Sequence, residues 1–289
     1  MIENTDCYSL KKITYNNGIL DESVDATYII HLEGNGRYDH IMEQLNYYKP
    51  SKTVYILFNK GFKNCKKNDI IKLPAQDITH AFLHVFKDAN VKKYDSILIL
   101  EDDFIFNEKI KISDKQENIN SFLNKYKNTN TVYYLGCIPY LQIPLFSKYH
   151  NRVLLSTGSH SIIYTKKSRE LILDDLKNLD DWDIYINLYA PVKRYIYYEA
   201  MCYQLFPETE NSKTWGQTNG YDIRSAKILN QLFKFLHLDT KVEPGYSILY
   251  IFSKIIPFFF IIFIVSIFYF FIKYKIIDKT KKYISKIKI

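Results

Sequence analysis

The feature that most constrains the fold of this chain is an uncharged run near its C-terminus. From Ile255 to Ile272, eighteen consecutive residues (IIPFFFIIFIVSIFYFFI) carry no formal charge, and a lysine flanks the run on each side. A helix of about 18 to 20 residues, at about 1.5 Å each, crosses the hydrocarbon core of a bilayer. A buried core helix is the alternative, but such helices usually keep a polar stripe and seldom end in a lysine cluster. The run therefore predicts a transmembrane helix over 246–274, between a domain at 1–245 and a basic tail at 275–289.

The net charge of +8 is concentrated in that tail. Lys273–Ile289 contains seven Lys against one Asp, which leaves 32 of the 39 basic and 30 of the 31 acidic residues in the rest of the chain. A nucleic-acid-binding protein needs its phosphate contacts on the folded domain. Because the domain is nearly neutral, we do not expect nucleic acid as a partner.

Two rules conflict over the side of the membrane that the domain occupies. The lysine tail prefers the cytoplasmic side. The polar start, Met1–Lys12, shows no signal peptide, and an anchor near the C-terminus then leaves the domain in the cytosol. We expect a cytosolic domain; a helix that lies in the membrane interface without crossing it is a third possibility.

The cysteines form neither a CxxC pair nor a Cys/His ligand spacing, so structural zinc is not expected. We expect reduced, buried thiols at all four positions, which are Cys7, Cys65, Cys137 and Cys202.

Strands alternate with helices along the domain. Apolar runs at Thr27–Leu32, Thr53–Phe58 and Ser96–Leu100 predict strands, and the last is typical of a parallel strand covered on both faces. Amphipathic helices are predicted between them, at 38–48 and at 77–89 with Asp77 as the N-cap. The later predicted elements are a helix at 114–126, strands at 132–135, 153–156 and 161–165, and a helix at 166–177. This alternation predicts a three-layer α/β domain with a mostly parallel sheet.

Three carboxylates end the strand at Ser96–Leu100. Glu101, Asp102 and Asp103 then lie at the edge where open α/β sheets bind ligands. In an extended chain, Glu101 and Asp103 share one face while Asp102 points away. Such a pair suits Mg²⁺ or Mn²⁺, which neutralises the charge on a departing diphosphate. A solvated acidic strand end is the alternative interpretation.

The triplet and several other motifs, in the same order along the chain, resemble glycosyltransferase family 25, the lipopolysaccharide and procollagen-galactosyltransferase type. The resemblance extends over about 26–213 and implies the Rossmann-like A fold of glycosyltransferases. The matching residues are His31-Leu32 with Arg37, Thr79-His80, ILILEDDFIF, Gly158–Tyr164 (GSHSIIY), Asp183, and a late segment with Gln204, Pro207 and Ser212. Two positions depart from the family pattern, His31 in place of Asn and Thr79 in place of Ser.

The resemblance implies an inverting transfer of a hexose from a nucleotide-diphosphate sugar to a glycan, lipid or protein acceptor. It implies Glu101 and Asp103 as ligands of Mn²⁺ or Mg²⁺, and donor contacts from Leu32, Arg37 and Asp102. We expect His160 to bind donor or acceptor, or else to be a hydrogen-bonded strand histidine. His80 is expected to pack or cap a helix, and Trp215 to stack on a sugar ring or to make a plain apolar contact.

The transfer also needs a carboxylate that takes the proton of the acceptor hydroxyl. We expect this base at Asp183, with Asp181 and Glu199 as competitors. An Asp in the run LDDWD is otherwise more often a helix cap or a solvated loop residue.

Two other functional classes stay open. A metal-dependent nucleotidyl or phosphoryl transferase also uses clustered acids, although the chain has no glycine-rich phosphate loop. A catalytically inactive, membrane-anchored scaffold on the same fold is the second.

Overall fold

A seven-stranded sheet with helices on both faces forms the centre of the domain. The computed structural model describes residues 5–145, 147–176, 179, 181–207 and 223–287. The strands are β1 Tyr8–Thr14, β2 Ala26–Leu32, β3 Thr53–Asn59, β4 Ser96–Glu101, β5 Phe104–Phe106, β6 Thr131–Pro144, β7 His150–Thr165, β8 Lys193–Tyr197 and β9 Cys202–Gln204. The helices are α1 Tyr38–Tyr48, α2 Pro74–Val91, α3 Ser113–Tyr126, α4 Lys166–Asp175, α5 Trp182–Leu188, α6 Ile223–Phe235 and α7 Gly245–Ile287. Short 3₁₀ turns lie at Thr5–Cys7 and Glu108–Lys111.

The strand order is β1-β3-β2-β4-β7-β6-β8, and β5 pairs with β9 in a separate two-stranded sheet. Strands β3, β2 and β4 are parallel, as are β6 and β8. The pairs β1–β3, β4–β7 and β6–β7 are antiparallel. The predicted three-layer α/β architecture is confirmed, but the sheet is mixed, because β6 and β7 form one long hairpin that inserts β7 beside β4 in the opposite direction.

Strand β4 explains why the run SILIL is apolar throughout. Ile97 and Ile99 pack on the face covered by α2 and α5, whereas Leu98 and Leu100 pack on the face covered by α1 and α3. All four side chains are fully buried. Because each such burial is worth about 1.5–3 kcal/mol, the strand anchors the acidic triplet that follows it between two apolar layers.

Helix α2 begins at Pro74, three residues before the predicted start. Pro74 occupies the first helical position, where a missing N–H costs least. Asp77 is therefore not an N-cap; it lies inside the helix and forms a buried ion pair with Lys67. His80, on the same helix, packs as expected, with its Nδ1 atom 2.7 Å from the hydroxyl of Tyr8.

Strand β1 was not predicted, because most of its side chains are exposed and polar. It pairs with β3 so that Tyr8 faces Asn59, which brings Cys7 close to the loop after β3. Cys7 and Cys65 form a disulfide with their Cα atoms 5.6 Å apart. The expectation of reduced thiols is wrong for this pair and holds for Cys137 and Cys202, which are free and buried.

Helix α7 has two parts. Its first turns pack on the domain, with the side chains of Tyr246, Leu249, Tyr250 and Ser253 buried. From Ile255 to Ile276 its Ile, Val, Phe and Tyr side chains are exposed. By length and composition, Gly245–Ile276 can cross a membrane. The candidate membrane helix therefore begins as a structural part of the domain.

Candidate functional site

A cavity of about 410 Å³ lies at the carboxyl ends of β2 and β4. This is the sheet edge at which open α/β folds bind ligands. One wall is polar and carries the acidic triplet, and the opposite wall is apolar. The lining includes Leu32, Asn35 and Arg37 after β2, Glu101–Asp103, Thr157–Ser159 of β7, Asp181–Asp183 at the start of α5, Gln204–Pro207, Pro74, Ala75 and Ile78 of α2, and Leu229, Asn230 and Phe233 of α6.

The Asp102 side chain points toward the loop after β2, and Arg37 Nη1 lies between it and the Asp103 carboxylate. Its Oδ2 atom accepts hydrogen bonds from the backbone N–H of Leu32 (2.9 Å) and from Asn35 Nδ2 (2.6 Å), and its Oδ1 atom accepts one from Arg37 Nη1 (2.7 Å). Burial raises the pKa of Asp102, but His31 and Arg37 outweigh it and hold that pKa below its ordinary value. Asp102 therefore orders the loop that carries Leu32 and Arg37, and these three predicted donor contacts lie together.

Glu101 and Asp103 both line the cavity. Glu101 accepts a hydrogen bond from the hydroxyl of Ser159 (3.0 Å). Asp103 accepts hydrogen bonds from Arg37 Nη1 (2.9 Å) and from Gln204 Nε2 (2.9 Å). Burial, and after it the charges of Asp103 and Asp183, raise the pKa of Glu101 well above its ordinary value. Burial also raises the pKa of Asp103, although Arg37 opposes this shift.

The chemistry of this pair fits a hard divalent cation. Among the residues described above, no group of three or more His, Cys, Asp or Glu side chains is arranged to hold a metal ion. Mg²⁺ commonly takes only one or two carboxylates and completes its shell with water and phosphate oxygens. Glu101 and Asp103 both line the cavity, and Arg37 donates a hydrogen bond to Asp103. A cation held by these two carboxylates would neutralise their charge.

Asp183 lies in the first turn of α5, with its side chain against the cavity. Its Oδ2 atom accepts a hydrogen bond from the backbone N–H of Gly158 (2.8 Å). Gly158 adopts φ +79°, a left-handed conformation that favours glycine and that turns this N–H toward the carboxylate. Burial, followed by the charge of Asp181, raises the pKa of Asp183 to about 7. A carboxyl group with this pKa is suited to accept a proton near neutral pH.

The two competitors for the base have structural partners. Asp181 is the N-cap of α5 and accepts hydrogen bonds from the backbone N–H groups of Asp183 (2.9 Å) and Ile184 (3.2 Å). Glu199 forms ion pairs with Lys109 and Lys115 and is not part of the cavity lining. Of the three carboxylates, Asp183 alone combines a place in the cavity wall with a side chain that is not a helix cap.

His160 is fully buried and does not line the cavity. Its neighbour Ser159 faces the cavity, so the alternation of a strand directs His160 to the other side. There its Nε2 atom lies 3.4 Å from the carbonyl oxygen of Cys202, and its ring contacts Tyr246 edge-on. Burial lowers the pKa of His160 to about 4. In this structure His160 therefore packs within the domain, as the second of its two expected roles describes, and a contact with donor or acceptor stays a prediction.

Two groups of cavity residues were not predicted. Asn35, in the turn EGNGR, fixes Asp102, and the turn composition was the only sequence signal for it. The apolar wall carries no motif, because its members come from four separate segments of the chain and meet only in the fold: Ile78, Trp182, Phe206 and Phe233. Ser212 and Trp215 lie outside the described residues.

No protein-family model matches the chain, and no curated protein matches it. Several solved structures are similar to it. Among them are A197 from STIV (14% identity over 64% of this chain and 86% of that chain, TM-score 0.39), a glycosyltransferase involved in the glycosylation of the major capsid of PBCV-1 (11%, 62% and 92%, TM-score 0.37), and UDP-glucose pyrophosphorylase complexed with UDP-glucose (8%, 60% and 72%, TM-score 0.32). All three TM-scores lie below 0.5, so we base no conclusion about function on these likenesses. The resemblance to glycosyltransferase family 25 is not confirmed.

Proposed function

We propose that this chain is a glycosyltransferase that moves a hexose, with inversion, from a nucleotide-diphosphate donor to a hydroxyl of a glycan, lipid or protein acceptor. One observation carries the proposal. Glu101, Asp103 and Asp183 are half-buried around one cavity at the carboxyl edge of the sheet, and each has a raised pKa. Such a concentration of carboxylates with raised pKa values is costly for the fold and is typical of functional sites.

In this proposal Asp183 is the general base. Its pKa of about 7 lets the carboxylate accept the proton of the acceptor hydroxyl as the sugar leaves the donor. The Gly158 N–H bond fixes one oxygen of this carboxylate at the wall of the cavity. Attack from the side opposite the leaving diphosphate then inverts the anomeric centre.

The donor diphosphate is assigned to the wall that the triplet and the loop after β2 share. Arg37 is about one-third exposed and can donate to phosphate oxygens, since guanidinium groups bind them in bidentate geometry. Glu101 and Asp103 would hold Mn²⁺ or Mg²⁺. That ion, when bound, supplies charge neutralisation to the departing diphosphate. The apolar wall around Trp182 and Phe233 excludes water, which would otherwise compete with the acceptor.

A thermal-stability screen tests this proposal. The purified full chain is heated with a panel of sugar nucleotides, with nucleoside triphosphates and with free nucleotides, each with and without Mn²⁺. A ligand of the folded state at about 100 times its Kd stabilises by about 2.7 kcal/mol. We expect the largest shift with one sugar nucleotide in the presence of Mn²⁺, followed by release of the nucleoside diphosphate. Preference for a nucleoside triphosphate would support a nucleotidyl transferase, and no shift with any ligand would support an inactive scaffold.

We propose further that α7 crosses a membrane once and anchors the domain. The sequence alone led us to expect a cytosolic domain. Two observations favour the opposite side: the Cys7–Cys65 disulfide, which oxidising compartments preserve, and the lysine tail, which prefers the cytoplasm. Protease added to sealed vesicles distinguishes the two orientations, because a cytosolic domain is digested and a lumenal or external domain is protected.

A further inference from the structure

The tip of the β6–β7 hairpin lies where α7 leaves the domain. We define the hairpin tip as Ile143–Leu145 together with Ser147–Tyr149. Gln142, just before it, donates a hydrogen bond to the hydroxyl of Ser253 (2.8 Å). On its other side, Lys254 donates to the carbonyl oxygen of Tyr198 (2.6 Å), and the Tyr198 N–H donates to the carbonyl oxygen of Tyr149 (2.9 Å). The tip is thus attached to the last two residues of α7 before the uncharged run begins at Ile255.

The tip extends beyond that attachment in the direction of the run. Along β6, Cys137 lies near Tyr250, and Gln142 contacts Ser253, so the strand and the helix advance together. The five residues of β6 from Cys137 to Gln142 accompany only three residues of α7, from Tyr250 to Ser253, so the strand crosses the helix at an angle. At that ratio the three residues from Gln142 to Leu145 advance by about two residues of the helix. The tip therefore lies at the level where the uncharged run begins.

The composition of the tip suits the boundary of a bilayer. Ile143 is 43% exposed, and Pro144 next to it is exposed as well. The Lys148 ammonium lies 5.5 Å from the centre of the Tyr149 ring, and the rings of Tyr149 and Tyr198 are 5.9 Å apart. Tyrosines are enriched at membrane interfaces, and lysines there extend their charge to the headgroups. The hairpin tip therefore presents exposed apolar residues, a tyrosine and a lysine beside the helix that enters the membrane.

We propose that the hairpin tip is a second membrane contact, which rests in the interfacial layer of the bilayer that α7 enters and places Lys148 against the phosphate groups of the lipid headgroups. The backbone of the tip can enter this layer because it is paired: Leu145 N–H donates to His150 O, and Pro144 is in register with Asn151. A helix alone leaves the domain free to rotate about the helix axis. A second contact fixes which face of the domain meets the lipid. The inference rests on the proposed membrane insertion of α7.

Fluorescence quenching tests the contact on the full chain in vesicles of phosphatidylcholine and phosphatidylserine. Three single-site variants carry the same environment-sensitive dye on a new cysteine: Ile143→Cys at the tip, Ser266→Cys within the uncharged run, and Val91→Cys, which is 81% exposed at the end of α2. We expect lipid-borne quenchers to act on Ile143→Cys and Ser266→Cys several-fold more strongly than on Val91→Cys. The unsubstituted chain corrects for labelling of the native cysteines.

The outcomes separate this inference from the insertion on which it rests. Quenching at Ser266→Cys with none at Ile143→Cys overturns the hairpin contact and leaves the membrane helix intact. No quenching at either position overturns both. As a second test, Lys148→Glu in the Ile143→Cys background should lower quenching at the tip, because one lysine near an anionic surface is worth about 1 kcal/mol, or about fivefold. Lys12→Glu, on the exposed strand β1, is the matched control and should leave quenching unchanged.

Discussion

Two polar clusters in this domain, one buried and one half-buried, differ in whether their charges are paired. In the first, Lys67 and Asp77 have side chains only 0% and 6% exposed, and their opposite charges pair. Asn59 completes the cluster, since it donates to Asp77 (3.0 Å) and accepts from Lys67 (2.5 Å). In the second, Glu101, Asp103 and Asp183 share a cavity with Arg37, and burial, followed by the charges of neighbouring carboxylates, raises their pKa values.

The difference separates a structural cluster from a candidate active site. A buried pair with every partner present fastens the loop after β3 to α2, and no excess charge is left for a ligand. Carboxylates that repel each other in a cavity lower the stability of the free protein, and a cation or a proton relieves that repulsion. We therefore expect changes in the first cluster to affect folding and changes in the second to affect transfer.

The largest expected effect is on catalysis. Asp183→Asn should lower the transfer rate by about 10²–10⁴-fold, which is the usual contribution of a general base. The free energy of unfolding should not fall, because the substitution removes a buried like charge. Initial rates and urea unfolding of the same preparation measure both quantities.

Asp69→Asn is the matched control for this change, since that carboxylate is 83% exposed and lies outside the cavity lining. It should leave both the rate and the stability close to those of the wild type. Transfer by Asp183→Asn at the wild-type rate would exclude Asp183 as the base.

The next effect concerns the paired cluster. Lys67→Met leaves the charge of Asp77 buried without a counter-charge, although the Asn59 amide still donates to it, and should lower the free energy of unfolding by about 3–5 kcal/mol. Lys66→Met, at an exposed neighbouring position, should change it little. The double variant Lys67→Met with Asp77→Leu should recover part of the loss. If Lys67→Met is no less stable than Lys66→Met, the pair is not structural.

A smaller effect is expected from pH. The pKa of Asp183 is about 7 in the folded protein, above its value of 3.8 in an unfolded chain, so the folded state binds the proton more tightly. The resulting stabilisation is complete below about pH 4 and is lost as the pH rises through about 7. Metal-free protein should therefore unfold more easily at pH 8 than at pH 5, while transfer, which needs the ionised base, should rise over the same range.

Urea unfolding across this pH range, in the presence of a chelator, measures the stability change. Asp183→Asn should flatten its dependence on pH. An equally steep dependence in that variant would assign the titration to other groups.

The smallest effect is on donor affinity and concerns the link between the first turns of α7 and the cavity. The Tyr246 hydroxyl accepts a hydrogen bond from Gln204 N–H (2.9 Å) and donates one to Gln204 O (3.1 Å), and Gln204 in turn holds Asp103. Tyr246→Phe removes both bonds and should weaken Mn²⁺-dependent donor binding by about tenfold or less, since each bond is worth about 0.5–1.5 kcal/mol. Titration calorimetry measures the change. Tyr250→Phe, one turn further along, is the control. Equal donor affinity in the wild type, Tyr246→Phe and Tyr250→Phe would show that α7 does not influence the site.

Local patterns were sufficient where a segment carries its own signal. The predicted helix at 38–48 agrees with α1, and the strands at Thr27–Leu32, Thr53–Phe58 and Ser96–Leu100 agree with β2, β3 and β4 to within one residue at each end. Hydrophobic periodicity determines these elements. The triplet was recognisable because three acids end a buried strand.

Other features depend on partners that are distant in the chain. The predicted strands 132–135, 153–156 and 161–165 are parts of one hairpin, whose polar residues Gln142 and Asn151 are buried because they bond to each other (2.8 Å). The Cys7–Cys65 bond joins residues 58 positions apart, and it follows from the pairing of β1 with β3.

The sequence by itself determined the α/β class, the central strand with its acidic end, and a helix apolar enough to cross a membrane, because each is encoded in neighbouring residues. The tertiary structure alone decided which acids face one cavity, that Asp181 caps a helix while Asp183 keeps a raised pKa, and that His160 packs inward. The physical reason is that burial and the field of other charges set the state of each side chain, and both come from segments far apart in the chain.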